Sequence, residues 1–278
     1  MRSQFRESME RKCSLRIDFK SVAAFRLMTS YMRFFAEENV RMVINEKEIK
    51  LLYEEPNRGR IFTTLNDNKE INNIKVINES LHNHLILKFK LNSLEQALEE
   101  MYNKSNVKME LRQQADDTKI LFFESSENSA SKFKVEIIFD NCYRLSTPPL
   151  IFRKAIKLEF SDLHKLFKMA KLFSKVKDNL YVSVQHTASH HIFKIKYSLD
   201  TGSKMCHQIK YSRESQVDMR SSDVTTIKSQ LFSIFFKLPR ILNITCFVKQ
   251  QDYILLEAQN DEYENIRIKA HLKGLSEA

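Results

Sequence analysis

Short runs of alternating or apolar β-forming residues are interrupted by helix-like segments in the same order twice along the 278 residues. That duplication restricts the fold more than any single motif. Apolar periodicity predicts helices over 21–38, 92–103, 161–177 and 229–238. Each opens on Ser or Asn, whose side chains accept a hydrogen bond from a first-turn N–H. Strands are predicted over 13–20, 40–45, 48–54, 61–65, 74–77, 85–91, 107–113, 119–123 and 133–139. They resume over 156–160, 181–186, 192–199, 205–211, 224–227, 241–249, 253–258 and 266–272. Between the halves stands Thr147-Pro148-Pro149, where two prolines deny a sheet its N–H donors. The expected organisation is an extension over 1–11, a first domain over 12–146, a connector over 147–155 and a second domain over 156–278.

Composition removes whole classes of enzyme. Gly59, Gly202 and Gly274 are the three glycines and stand alone. A dinucleotide turn, a phosphate-binding loop and a nucleophile elbow all need clustered glycine. Cys13, Cys142, Cys206 and Cys246 form no C-x-x-C pair, which argues against a zinc ribbon, and they read as small apolar core residues in a reducing compartment. No apolar run reaches the ~18–20 residues of a membrane span, and the start lacks a secretory signal, so an intracellular, soluble protein is expected. The formal net charge of +10 favours a polyanionic partner.

Charge is patterned on the helices. Over 161–177, Leu163, Leu166, Phe167, Met169, Ala170, Phe173 and Val176 share one arc, while Lys165, Lys168, Lys171 and Lys175 gather opposite with no acidic neighbour to pair with. Over 21–38, Arg26 and Arg33 share a narrow polar strip with Thr29 and Ser30, and Phe34 is counted on the apolar side. Over 229–238, Gln230, Ser233 and Lys237 share a face. The segment 92–103 dissents, with Glu95, Glu99 and Glu100 on its outer face.

Two tandem β-rich domains, each with two helices, resemble the eukaryotic sliding clamps, and most closely the Hus-one type subunit of the checkpoint clamp called nine-one-one. The opening Cys13-Ser-Leu-Arg-Ile-Asp-Phe-Lys20, the helix after it and the pair Val40-Arg-Met-Val-Ile-Asn45 and Glu48-Ile-Lys-Leu-Leu-Tyr53 are similar to the family's start. So are Leu180-Tyr-Val-Ser-Val184, Phe193-Lys-Ile-Lys-Tyr197 and His207-Gln-Ile-Lys-Tyr211. A Rad-one type subunit shares this pattern. The resemblance implies an α+β DNA-clamp fold of two β-α-β-β-β-α-β-β-β domains, helices lining a ring and sheets outside. It implies a non-catalytic, nuclear protein without cofactors. Its partners would be two other clamp-like subunits in a heterotrimer, double-stranded DNA, an ATP-dependent clamp loader, and checkpoint and repair proteins, with no membrane.

Carried over residue by residue, Arg26, Arg33, Lys165, Lys168, Lys171, Lys175 and Lys237 would face DNA. Subunit contacts would run along Lys132, Phe133, Lys134, Val135, Glu136 and Ile137 of a first-domain strand ending at Phe139. The second set is Lys204, Met205, Cys206, His207, Gln208, Ile209 and Lys210. Phe133, Val135 and Ile137 alternate with Lys132, Lys134 and Glu136 as a one-sided strand requires, and an internal strand would look the same. Leu150, Ile151 and Phe152 of the connector are either a buried strand or a ledge beside a groove for partner peptides.

The rival class is a metal-dependent nucleic-acid enzyme such as a nuclease. Its best ligand set is His186, His190 and His191, whose i, i+4, i+5 spacing suits zinc on a helix. The flanks Tyr181-Val-Ser-Val184 and Ile192-Phe-Lys-Ile195 read as strands joined by a turn, so an exposed hairpin tip and no metal is expected. Asp116-Asp117, Glu99-Glu100 and Asp261-Glu262 are expected to be solvated and unpartnered.

Overall fold

The computed structural model describes residues 13–36, 38–55, 59–66, 70–78, 84–138, 158–160, 179–186, 190–198, 202–212, 222–239, 241–249, 253–260, 262–263 and 266–273. The chain divides into two compact units, Met1–Tyr53 with Thr63–Pro148, and Glu54–Phe62 with Pro149–Ala278. The excursion of Glu54–Phe62 into the second unit has no counterpart in linear boundaries at 12–146 and 156–278.

In the first unit, strand β1 (Cys13–Phe19) buries Leu15, Ile17 and Phe19 and exposes Ser14 and Arg16 on its other face. This period of two is what a sheet with one covered face selects. β1 pairs antiparallel with β5 (Ile71–Asn78) and β7 (Val107–Gln113). The sheet continues through β8 (Lys119–Glu124) to β9 (Ala130–Lys134), giving the order β5-β1-β7-β8-β9. A second sheet of this unit runs β10 (Glu136–Ile137), β6 (Leu85–Lys90), β2 (Asn39–Ile44), β3 (Glu48–Glu55) and then β4 (Gly59–Asn66), whose residues from Thr63 belong to this unit.

The strand expected over 133–139 is two strands. Val135 donates its N–H to Lys119 O of β8 at 3.0 Å, and three residues later Ile138 donates to Ile86 O of β6 at 2.9 Å. The chain changes sheets at Val135 while its side chains keep alternating: Phe133, Val135 and Ile137 are half-buried, and Lys132, Lys134 and Glu136 are exposed.

Helix α1 (Ala23–Arg33) buries Ala24, Phe25, Met28, Thr29, Tyr31 and Met32, with Phe25 stacked on Phe19 of β1 at 5.6 Å between ring centres. Helix α2 (Leu91–Met101) buries Leu91, Leu94, Ala97, Leu98 and Met101. The residues directly before the helices, Val22 for α1 and Lys90 for α2, make no side-chain cap. For α1 the expected acceptor is present, since Ser21 takes a first-turn N–H, whereas Asn92 lies inside α2; the other first N–H groups are met from elsewhere in the chain. Ser21 Oγ accepts from Ala23 at 3.1 Å, Glu70 Oε2 accepts from Ala24 at 2.9 Å, and Glu38 O accepts from Leu91 at 2.8 Å. Thr29 is buried and leaves the polar strip, because its hydroxyl donates to Phe25 O at 2.9 Å within the helix. Phe34 follows the helix and is exposed rather than apolar lining.

In the second unit, β12 (Asn179–His186), β13 (His190–Ser198), β14 (Lys204–Ser212) and β15 (Ser222–Lys228) form a sheet in the order β14-β13-β12-β15. The other sheet has β18 (Ile266–Lys273), β17 (Tyr253–Asn260), β16 (Ile241–Lys249) and β11 (Leu158–Phe160) as successive neighbours. Helix α3 (Ser229–Phe235) buries Phe232, Ser233 and Phe235, and Phe232 meets Phe236 edge-on at 4.7 Å. Five strands lie between α1 and α2, and four described strands lie between β11 and α3, more than the three of the expected repeat. Hairpin connections allow extra strands without extra helices. The predicted helix 161–177, the connector 147–155 and the extension 1–11 lie outside the described residues.

Candidate functional site

The helix face of the first unit brings Arg26 and Arg33 together with residues the sequence reading set apart. Arg26 Nε donates to Glu99 Oε2 at 2.7 Å, and its Nη2 lies 2.6 Å from the same oxygen. Arg33 Nη1 donates to Glu95 Oε2 at 2.6 Å. The Arg26 guanidinium also sits 4.3 Å from the centre of the Tyr102 ring, a cation–π contact. Glu99 therefore has a partner, contrary to the expectation for Glu99-Glu100. The arginine side chains keep 41% and 66% exposure, so both remain within reach of a ligand from solvent. Lys237 follows α3 in a turn, its N–H donating to Ile234 O at 2.9 Å, and Ser233, expected beside it on a polar face, is buried. Lys165, Lys168, Lys171 and Lys175 lie outside the described residues.

Both strands named as interfaces stand at sheet edges: β9 ends the first unit's five-stranded sheet, β10 ends its neighbour, and β14 ends the second unit's four-stranded sheet. Phe133 turns inward against Phe89 at 5.5 Å and Phe123 at 6.1 Å, which leaves Lys132 and Lys134 outside. On β14, Lys204, Met205, Cys206, Gln208 and Lys210 are exposed, so side chains on both faces of the strand meet solvent. Cys206 is thus an exposed free thiol rather than a core residue. Ile209 pairs in register with Phe193 of β13. His207 is anchored, with Nε2 3.0 Å from the Tyr197 hydroxyl and the two rings stacked at 5.7 Å. Burial pushes the Tyr197 hydroxyl above its ordinary pKa.

A cleft of about 790 Å³ opens beside the break at Val135, lined among others by Lys88, Lys90, Ser93, Lys119 and Lys134. Lys88 pairs with Glu136 at 3.3 Å, and Lys119 donates to Gln113 Oε1. No sequence signal groups these lysines, which come from three different strands. Leu150, Ile151 and Phe152 lie outside the described residues.

The histidines fall on a hairpin. β12 and β13 pair antiparallel with His186 opposite His191 in register, and His190 is exposed. Among the described residues no group of three or more His, Cys, Asp or Glu is placed to hold a metal ion, and no helix is long and apolar enough to cross a membrane. Asp116 lies in the β7–β8 turn, its Oδ1 accepting the Thr118 N–H at 3.1 Å, and Asp117 donates its N–H to Gln114 O at 3.0 Å with φ of 63°.

No family model matches the chain, and no curated protein matches it in sequence. Solved structures do. Proliferating cellular nuclear antigen from Entamoeba histolytica is similar with a TM-score of 0.64 at 15% identity, covering 95% of this chain and 100% of that one. The nuclear antigen, PCNA, from Thermococcus kodakaraensis gives 0.58 at 17% identity, covering 94% and 100%. At such identities the likeness speaks for backbone arrangement alone, and the chain accordingly has the α+β DNA-clamp fold over nearly its whole length.

Proposed function

We propose that this chain is a non-catalytic subunit of a ring-shaped DNA sliding clamp, a heterotrimer of the checkpoint type. It is opened and closed around double-stranded DNA by a separate ATP-driven loader and serves in the nucleus as a platform for damage signalling and repair. The observation that carries the reading is the likeness to PCNA structures across 95% of this chain and all of the Entamoeba chain, because a whole-length match covers both units at once. The net charge of +10 suits a polyanion, and three isolated glycines leave no nucleotide loop for the chain to load itself.

Charge on the edges favours different subunits over copies of one chain. β9 carries Lys132 and Lys134 and β14 carries Lys204 and Lys210, with no acidic residue on either strand. Joining β9 of one copy to β14 of another would place like charges across the seam, which is destabilising. The test is co-expression with two other clamp-like subunits, followed by solution mass and retention on closed circular DNA. An assembly of three different chains that stays on circles and runs off when they are linearised is expected. A stable monomer that ignores such partners, or magnesium-dependent cleavage of DNA by the purified chain, would overturn the reading.

A further inference from the structure

We propose that Glu95 and Glu99 are built-in counter-ions that hold Arg26 and Arg33 back from polyanions, so that α2 sets how firmly the helix face of α1 grips a duplex. The proposal rests on the reading that this face meets DNA. Within α1 the charged residues are Arg26 and Arg33, and within α2 they are Glu95, Glu99 and Glu100. Each helix has one sign of charge, so neither can pair its own charges, and two arginines against three glutamates leave the joint face with a net charge of −1. Long side chains bridge two unequal spacings. Glu95 and Glu99 stand one turn apart on α2, Arg26 and Arg33 stand two turns apart on α1, and contacts of 2.6 Å join Arg33 to Glu95 and Arg26 to Glu99.

A phosphate arriving at either guanidinium must displace a carboxylate that stays beside it and repels it. Exposed pairs are weakly held and screened by salt, so the arginines are restrained rather than locked. The first unit's helix face would accordingly let a duplex pass with little grip.

Binding of the full-length chain to a short labelled duplex, measured by fluorescence anisotropy across a range of salt concentrations, tests this. Glu95→Gln with Glu99→Gln removes the counter-ions and preserves side-chain shape. If both arginines are freed to make phosphate contacts, the log–log salt slope should steepen by up to about 0.9 for each. The same pair of substitutions placed on top of Arg26→Gln and Arg33→Gln should leave the slope where the arginine variant has it. Equal steepening in both backgrounds means a general charge effect and overturns the proposal. So does no steepening while Lys165→Ala, Lys168→Ala, Lys171→Ala and Lys175→Ala together flatten the slope, an outcome that leaves the DNA reading intact. A slope unmoved by every variant, the lysine one included, removes the DNA reading and this proposal with it. Thermal unfolding of each variant separates misfolding from altered binding.

Discussion

The Glu70 carboxylate takes over a helix cap from a distant part of the chain, accepting the Ala24 N–H at 2.9 Å. Burial pushes its pKa up, and the hydrogen bond opposes that rise. Its folded value therefore lies above its unfolded one, and its contribution to stability is full at low pH and lost as pH climbs from the ordinary carboxylate range through the raised value. Glu70→Gln keeps an acceptor and removes the charge. Its urea midpoint should fall less than the natural chain's over that pH window, and an identical fall in both would clear Glu70. Glu70→Ala loses the acceptor and should cost about 0.5–2 kcal/mol. Gly59 has a φ of 150°, and a Cβ there would stand 2.3 Å from His271 O. Gly59→Ala should cost roughly 2–4 kcal/mol from overpacking and backbone strain together. Gly202, with φ of 79° and open space around it, should cost only the left-handed backbone penalty of about 1–2 kcal/mol as Ala. Urea unfolding of the two variants ranks them, and equal losses would dismiss the His271 clash.

At the level of elements, the lysine-bearing edges make a prediction that needs no partner. Lys132→Glu with Lys134→Glu gives β9 the sign opposite to β14, so the variant should self-associate with concentration where the natural chain stays monomeric. Adding Lys204→Glu and Lys210→Glu should return it to monomer. Sedimentation reads the result directly. A natural chain that trimerises alone, or a β9 variant that stays monomeric, would show that charge does not govern these edges. Strands were legible in the sequence because a covered face imposes a period of two, as Leu15, Ile17 and Phe19 do in β1. The same period hid the break at Val135, since side chains go on alternating while the backbone changes its hydrogen-bonding neighbour. The counter-ions were hidden for another reason. Arg33 meets Glu95 across 62 residues and Arg26 meets Glu99 across 73, so a helix-by-helix reading saw a basic face and an acidic one but not their union.

For the molecule as a whole, the fold follows from the duplicated order of elements, while under the proposed function grip on DNA would depend on how the charge is divided between the two units. The first unit's helix face is internally compensated, which leaves the predicted stripe Lys165, Lys168, Lys171 and Lys175 as the expected source of phosphate contacts. Replacing all four with alanine should flatten the salt slope by less than the full ~0.9 per lysine, since contacts in a sliding complex stay loose. The change should be the same on unrelated DNA sequences, because phosphate contacts position without specifying. An unchanged slope would make the stripe an ordinary solvated face. The open edges also matter for the chain on its own. Copies emerging together from one messenger meet at high local concentration, and an edge strand such as β14, with Met205 and Cys206 uncovered on opposite faces, is a template for wrong pairing. Lysines at 132, 134, 204 and 210 repel a sibling at either edge and attract a strand of opposite sign. The residues proposed to select a partner should therefore also keep the orphan chain in solution until that partner is made.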